Sequence, residues 1–191
     1  MNFFQACLVG DEKIARRLYE VEKPEQDKLS RYLVLACEFG MENIAKMLYE
    51  FGGWMDFNHV FMIVCINDRL SVAKWIWSLN KHCVSVPTCF ELACGSGAEN
   101  TAKWLYTLIP INKYVINSSF RSACKLRRCE NTAFWLYSLG ADLEYLCPED
   151  RDNFQKVLQK QREKVVHVLL DEKSLNDVDK NVFNIMSEYV I

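Results

Sequence analysis

The chain lacks any long apolar run. None of its stretches approaches the roughly 18 consecutive apolar residues that would span a bilayer, so no membrane partner is expected. It also lacks a basic surplus. Lys and Arg number 23 against 25 Asp and Glu, a formal net charge of −2. A nucleic-acid binder would usually carry a basic stripe, so no nucleic-acid partner is expected either. Histidine is scarce, with only His59, His82 and His167. The three fall in different parts of the chain, and no Ser or Cys is placed to form a nucleophilic pair with them. Neither C-x-x-C nor H-x-x-x-H occurs, which leaves zinc without a ligand spacing. CGSGAEN (94–100) is glycine-bearing but lacks the Lys-Ser/Thr ending of a phosphate loop. Catalytic residues, metals and cofactors are therefore all expected to be none.

Cysteine, by contrast, is abundant at nine. The opening MNFFQACLVGDE has no basic n-region, and Asp11 and Glu12 interrupt its apolar run, so it does not read as a signal peptide. An odd cysteine count in that setting argues against a disulfide framework and for a reducing compartment, cytoplasmic or nuclear. Half the residues are hydrophobic and a quarter are charged. That balance, over this length, predicts one soluble globular domain with a sizeable core.

One amphipathic phrase recurs. It reads IARRLYEV at 14–21, IAKMLYEF at 44–51, VAKWIWSL at 72–79, TAKWLYTL at 101–108 and TAFWLYSL at 132–139, with a worn copy, VVHVLLDE, at 165–172. Aligned on Ala15, Ala45, Ala73, Ala102 and Ala133, the steps are 30, 28, 29 and 31 residues. A fixed period of this size signals stacked structural repeats. Nine residues before the alanine stands a small pair: Ala6-Cys7, Ala36-Cys37, Val64-Cys65 and Ala93-Cys94. In the fifth copy Ala123-Cys124 lies ten before, with one residue inserted around RRCEN. Three residues ahead of each pair is a large apolar residue: Phe3, Leu33, Phe61, Phe90 or Phe120. A break follows each of the first four pairs, marked by Gly10, Gly40, Asp68 and Gly97.

Each unit thus predicts a short helix, a tight turn and a second helix. The large residue and the pair share one face at i and i+3. Ala102, Leu105 and Tyr106 make an apolar stripe on the second helix, as do Ala45, Leu48 and Tyr49. The repeated cysteines read as small core residues. Gly52, Gly53 and Gly140 read as helix-ending positions that tolerate φ > 0. A lone helical pair cannot bury its apolar faces, but a stack of them can. The units fall near 1–30, 31–58, 59–87, 88–117 and 118–148, with a degenerate sixth over 149–172.

The phrase A-C-x-x-G-x-x-x-x-A-x-x-L-Y-x-x-G resembles the ankyrin repeat, and YSLGADLEY (137–145) is similar to its closing G-A-D turn. The resemblance covers residues 1 to about 172. It departs where the T-P-L-H signature should stand: the fourth unit reads Thr88-Cys89-Phe90-Glu91. The period is also shorter than the usual 33. The resemblance implies an all-α, ankyrin-like helical-repeat solenoid with shortened β-hairpin fingers. The dialect F-x-x-A-C-x-x-G…A-K-W-L-Y-x-L resembles divergent ankyrin proteins of large DNA viruses, giant viruses among them. That implies a non-enzymatic protein–protein interaction module, a viral protein that binds and modulates a host factor, with a homodimer as a further option.

Loop tips and inner-helix rims would then carry the partner contacts: Tyr32, Trp54, Asp56, Phe57, His59, Glu91, Arg121, Lys125 and Arg128. GGWMDFNHV (52–60) sits in finger territory. Its Trp54 and Phe57 either meet a partner or tuck under the neighbouring unit. KLRR (125–128) is either an acidic-peptide contact or a solvated helix end near the negative dipole. Trp75, Trp104 and Trp135 share one repeat position and read as a ladder sealing the second helices, or as an exposed grip. SLNDVDKNVFNIMSEYVI breaks the repeat, and 173–191 reads as a C-terminal capping or F-box-like helix. In the second case it would recruit a cullin ubiquitin ligase, although the usual Leu-Pro start is absent and Leu175 is followed by Asn176.

Overall fold

The computed structural model describes residues 1–81, 85–126 and 129–170, with the backbone alone for 165–170. The described chain is all-helical. The helices are α1 (Phe3–Leu8), α2 (Glu12–Glu22), α3 (Gln26–Phe39), α4 (Glu42–Glu50), α5 (Phe57–Ile66), α6 (Leu70–Leu79), α7 (Val86–Ser96), α8 (Glu99–Tyr106), α9 (Lys113–Cys124), α10 (Glu130–Ser138) and α11 (Pro148–Leu170). Two compact units emerge where the composition suggested one domain: Met1–Pro110 and Ile111–Ile191.

The first unit holds four helical hairpins: α1–α2, α3–α4, α5–α6 and α7–α8. Their first helices pack in sequence, α1 on α3, α3 on α5 and α5 on α7. Their second helices do the same, α2 on α4, α4 on α6 and α6 on α8. Two layers result, with the core between them. The three positions expected to face inward do so. Phe3, Leu33, Phe61 and Phe90 are fully buried, as are Ala6, Val64 and Ala93 and nearly so Ala36. Cys7, Cys37, Cys65 and Cys94 are buried beside them. Each buried Phe contributes about 1.5–3 kcal/mol relative to exposure. Ala15, Ala45, Ala73 and Ala102 are fully buried on the second helices.

One aromatic contact repeats from hairpin to hairpin. Phe3 meets Tyr19 at 5.9 Å between ring centroids, Phe61 meets Trp77 at 6.2 Å and Phe90 meets Tyr106 at 6.1 Å. In the second unit Phe120 meets Tyr137 at 6.1 Å. The partner always lies four residues past the aligned alanine, one helical turn on.

The turns are alike as well. Gly10, Gly40, Asp68 and Gly97 have φ of 78°, 77°, 55° and 79°. Each backbone N–H bonds the carbonyl of the preceding repeat cysteine. The next N–H reaches back to the small residue beside it, as Met41 does to Ala36 at 2.8 Å. This paired closure satisfies the last carbonyls of the first helix, and it needs a left-handed residue. Gly52 and Gly140 also have positive φ. Gly53 does not, and its reason is space: a Cβ there would stand 2.8 Å from the Leu48 carbonyl oxygen.

Among the described residues there is no strand, and the expected shortened β-hairpin fingers are not seen. Lys23 to Glu25 join α2 to α3, and Phe51 to Asp56 join α4 to α5. Such spans are too short for two paired strands and a turn.

In the second unit α9 packs on α10, and α11 on α9. Phe154 of α11 stands edge-on to Phe120 at 4.9 Å and to Tyr137 at 5.5 Å. The Asn117 side-chain oxygen accepts from the Asp142 N–H at 2.9 Å, fixing the loop after Gly140. Residues 148–170 form one continuous helix rather than a sixth hairpin. Its middle, QKVLQKQREK, has neither Gly nor Pro and is rich in strong helix formers, so nothing breaks it. The calls on 173–191 lie outside the described residues.

Candidate functional site

The sequence-selected contact residues scatter. Trp54 is 67% exposed, and its N–H donates to Ser30 Oγ at 2.9 Å. Met55, not Trp54, is the residue that tucks in, at 1% exposed. Phe57 is half-buried and edge-on to Tyr49 at 6.3 Å. Asp56 is the N-cap of α5: its carboxylate accepts from the N–H groups of Asn58 and His59 at 3.0 and 3.1 Å. That satisfies two otherwise orphaned donors. His59 is exposed.

Tyr32 lies stacked on Phe4, with ring centroids 3.9 Å apart. Glu91 is half-buried on α7. Arg121 and Lys125 are exposed in the second unit, Lys125 at the C-cap of α9. Arg128 lies outside the described residues. Lys125 also lines a cavity of about 460 Å³ in that unit, with Cys124, Glu130, Asp150, Phe154 and Lys160. The tryptophans pack. Trp75 is edge-on to Tyr49 at 5.8 Å, Trp104 is edge-on to Trp77 at 6.5 Å, and Trp135 is buried.

A different surface stands out on the first unit. On α1, α3, α5 and α7 the small pair and the residue three before it face inward. The positions one and two before the pair's first member, and two and three after it, face outward. These outward positions read Phe4, Gln5 and Leu8 on α1 with its C-cap Val9, then Val34, Leu35, Glu38 and Phe39 on α3. They continue as Met62, Ile63 and Ile66 on α5 with its C-cap Asn67, and Glu91, Leu92, Gly95 and Ser96 on α7. Leu8, Val9 and Phe39 are 52%, 69% and 58% exposed, and Leu35 and Ile66 are exposed as well. Apolar side chains thus run across adjacent helix ends, which is more than the isolated apolar residues of an ordinary surface. A shallow depression of about 10 Å³ lies between Leu8, Tyr32, Leu35 and Phe39.

Of the residues selected from the sequence, Glu91 lies on this face and Tyr32 lines its depression, while its apolar residues were not among them. The signal was present: α5 is apolar at nearly every position, FNHVFMIVCI, more than one buried side requires.

Cys7, Cys37, Cys65 and Cys124 are held as thiols. Burial pushes Cys7 up to about 11 and Cys37 up to about 12. Cys124 rises to about 12 through burial and the nearby Asp150 carboxylate. The hydrogen bond between Cys65 and Cys89 raises the first and lowers the second, and burial raises Cys65 further. A buried thiol held protonated is a poor nucleophile and metal ligand.

Among the described residues no helix is long and apolar enough to cross a membrane. No family model, no curated protein and no solved structure matches this chain.

Proposed function

We propose that this chain is a non-enzymatic protein–protein interaction module, an ankyrin-like helical-repeat solenoid of viral origin that binds a host protein and modulates it. The observation that carries the reading is the apolar face of α1, α3, α5 and α7 on the first unit. Its core-facing residues already fill the space between the layers, so the outward apolar residues are not required for the stack. The recurrent Phe–Tyr or Phe–Trp contact and the recurrent turn closure support the repeat architecture. Both are made by residues of the repeated phrase itself.

The test is in-cell cross-linking and capture with the full chain, comparing wild type with the double variant Leu35→Ser/Phe39→Ser. A cross-linked protein lost from the variant, while the helical circular-dichroism signal and Tm stay put, is the expected result. A partner retained in full by the variant would move binding off this face and overturn the reading.

A further inference from the structure

We propose that residues 171–191 of this chain dock along the flank of α10, with Phe134 at the centre of the contact. This goes beyond the binding role of the first unit and does not depend on it.

The site shows first as a break in the repeat. The residue one past the aligned alanine is Arg16, Lys46, Lys74 and Lys103 in the first four hairpins and Phe134 in the fifth. Arg16, Lys46 and Lys103 each pair with a glutamate four residues earlier, Glu12, Glu42 and Glu99. In α10 the glutamate is kept, as Glu130, and the cation is replaced by a ring. The four cations are half-buried or exposed, whereas Phe134 is only 5% exposed.

The direction of this flank is set by the fold. Phe134 lies roughly opposite Thr132 and Leu136 around the helix, and those two are buried on the core side. α9 packs on that core side, and α11 packs on α9. In the first unit the same flank meets the second helix of the next hairpin: Arg16 of α2 reaches Glu50 of α4 at 2.9 Å. Among the described residues no second helix follows α10, because 148–170 is one continuous helix. Glu130 and Ala133 of α10 also border the cavity of about 460 Å³, together with Phe154 and Val157 of α11. Between α2 and α3 the corresponding place is taken by α4, which packs on both. The burial of Phe134 is achieved within the single chain, so its cover belongs to this chain, and 171–191 is the part that follows α11.

The segment suits the place. Val182, Phe183, Met186, Tyr189 and Val190 stand at i, i+1, i+4, i+7 and i+8, an apolar stripe at helical spacing. Tyr137 and Phe154 meet at 5.5 Å and so mark one level of the unit. From Phe154, α11 runs on to Leu170, about 24 Å at 1.5 Å per residue. A helix of about 16 residues that doubles back covers the same distance, which brings Tyr189 and Val190 beside Phe134. The cavity carries both signs, Lys125, Lys156 and Lys160 against Glu130, Glu149 and Asp150. Apolar fit, not charge, therefore selects the occupant. A stripe held on α10 is not displayed to a ligase adaptor.

The test uses the full chain with the photo-cross-linking substitution Phe134→p-benzoylphenylalanine, irradiation and peptide mapping. The expected product is a cross-link within one chain to 171–191, near Tyr189 and Val190. A cross-link that lands only outside 171–191 overturns the proposal. So does one formed only between copies, which would make the segment of a second copy the occupant.

Tryptic cleavage after Lys173 and Lys180 gives a second readout, because proteolysis follows the population of the open form. Phe134→Lys, which restores the cation of the other hairpins, should speed that cleavage about tenfold. Tyr189→Ser/Val190→Ser should do the same. It alters nothing in α1–α11, so it decides the matter even where Phe134→Lys fails to fold. Cleavage at the wild-type rate in Tyr189→Ser/Val190→Ser overturns the docking. Capture of a partner by the first unit is read separately, through Leu35→Ser/Phe39→Ser, so failure of one reading leaves the other standing.

Discussion

Asp68 and Thr101 are joined across 33 residues by two hydrogen bonds. One Asp68 carboxylate oxygen accepts from both the N–H and the Oγ1–H of Thr101, each at 2.8 Å. Its other oxygen accepts from Asn100 Nδ2 at 2.9 Å. Asp68 stands in the left-handed turn of the third hairpin, where the other three hairpins of the unit have glycine. Thr101 is the third residue of α8, whose own N-cap, Ala98, has no side chain to offer. The turn of one hairpin thus supplies the missing cap of the next. A carboxylate also suits the positive end of α8.

Asp68→Ala should cost about 2–3 kcal/mol, combining a lost cap with a left-handed alanine. Asp68→Gly keeps the turn and loses only the link, so it should cost about 1 kcal/mol less. Urea unfolding of the two variants checks the order. Equal stability of wild type and Asp68→Gly would show that the link contributes nothing.

The glycines should rank by what a methyl would meet. Gly10→Ala meets nothing within 4 Å and suffers only its φ of +78°, about 1–2 kcal/mol. Gly53→Ala would set a Cβ 2.8 Å from the Leu48 backbone oxygen, which cannot swing away. Gly40→Ala meets the Arg69 side chain at 2.8 Å, which can move, at the expense of its bond to Glu38. The midpoints of thermal unfolding should fall least for Gly10→Ala. A neutral Gly53→Ala would refute the close approach.

Ala45→Leu and Ala102→Leu should each destabilise by about 1–3 kcal/mol, or prevent folding, because both sites are fully buried between layers. A retained thermal transition at the wild-type temperature would sink the stacking of hairpins.

Raising pH above 9 should weaken the fold. Cys7 and Cys37 have an ordinary value of 9.0 when unfolded and about 11 and 12 when folded. The folded chain therefore binds more protons in that interval, and stability falls as pH rises. Their contribution is complete below pH 9 and is lost through pH 11–12. Denaturant midpoints from pH 8 to 11 check this. Cys37→Ala should flatten the slope, and an unchanged slope would assign the loss to other groups.

Among the described cysteines, thiol labelling of the native chain near neutral pH should reach Cys147, which is exposed, before Cys7, Cys37, Cys65, Cys89, Cys94 and Cys129, which are all buried. Peptide mapping after short exposure to an alkylating reagent reads the order. Rapid modification of Cys37 would contradict its burial.

The repeat was legible because helix pairs need small residues where backbones approach. The Ala-Cys pair, the Phe ahead of it and the glycine after it each marked a local requirement, and each lies where that requirement put it. The contact site was less legible. Trp54 looked bound for either the core or a partner, and the structure exposes it while burying Met55 beside it. Asp56 was selected for its place in a loop, and its carboxylate also caps α5. A sixth hairpin over 149–172 was read from residue spacing, which a continuous helix also satisfies.

The sequence by itself determined the helices, the turns and the buried face of each hairpin, because periodicity and backbone preference are local. Tertiary structure decided the rest. It placed Leu8, Leu35, Phe39 and Ile66 on adjacent helices as one surface, and it made Asp68 the cap of a helix in the following hairpin. Both depend on which helices pack side by side, and residues about thirty apart carry no mark of the neighbour they will meet.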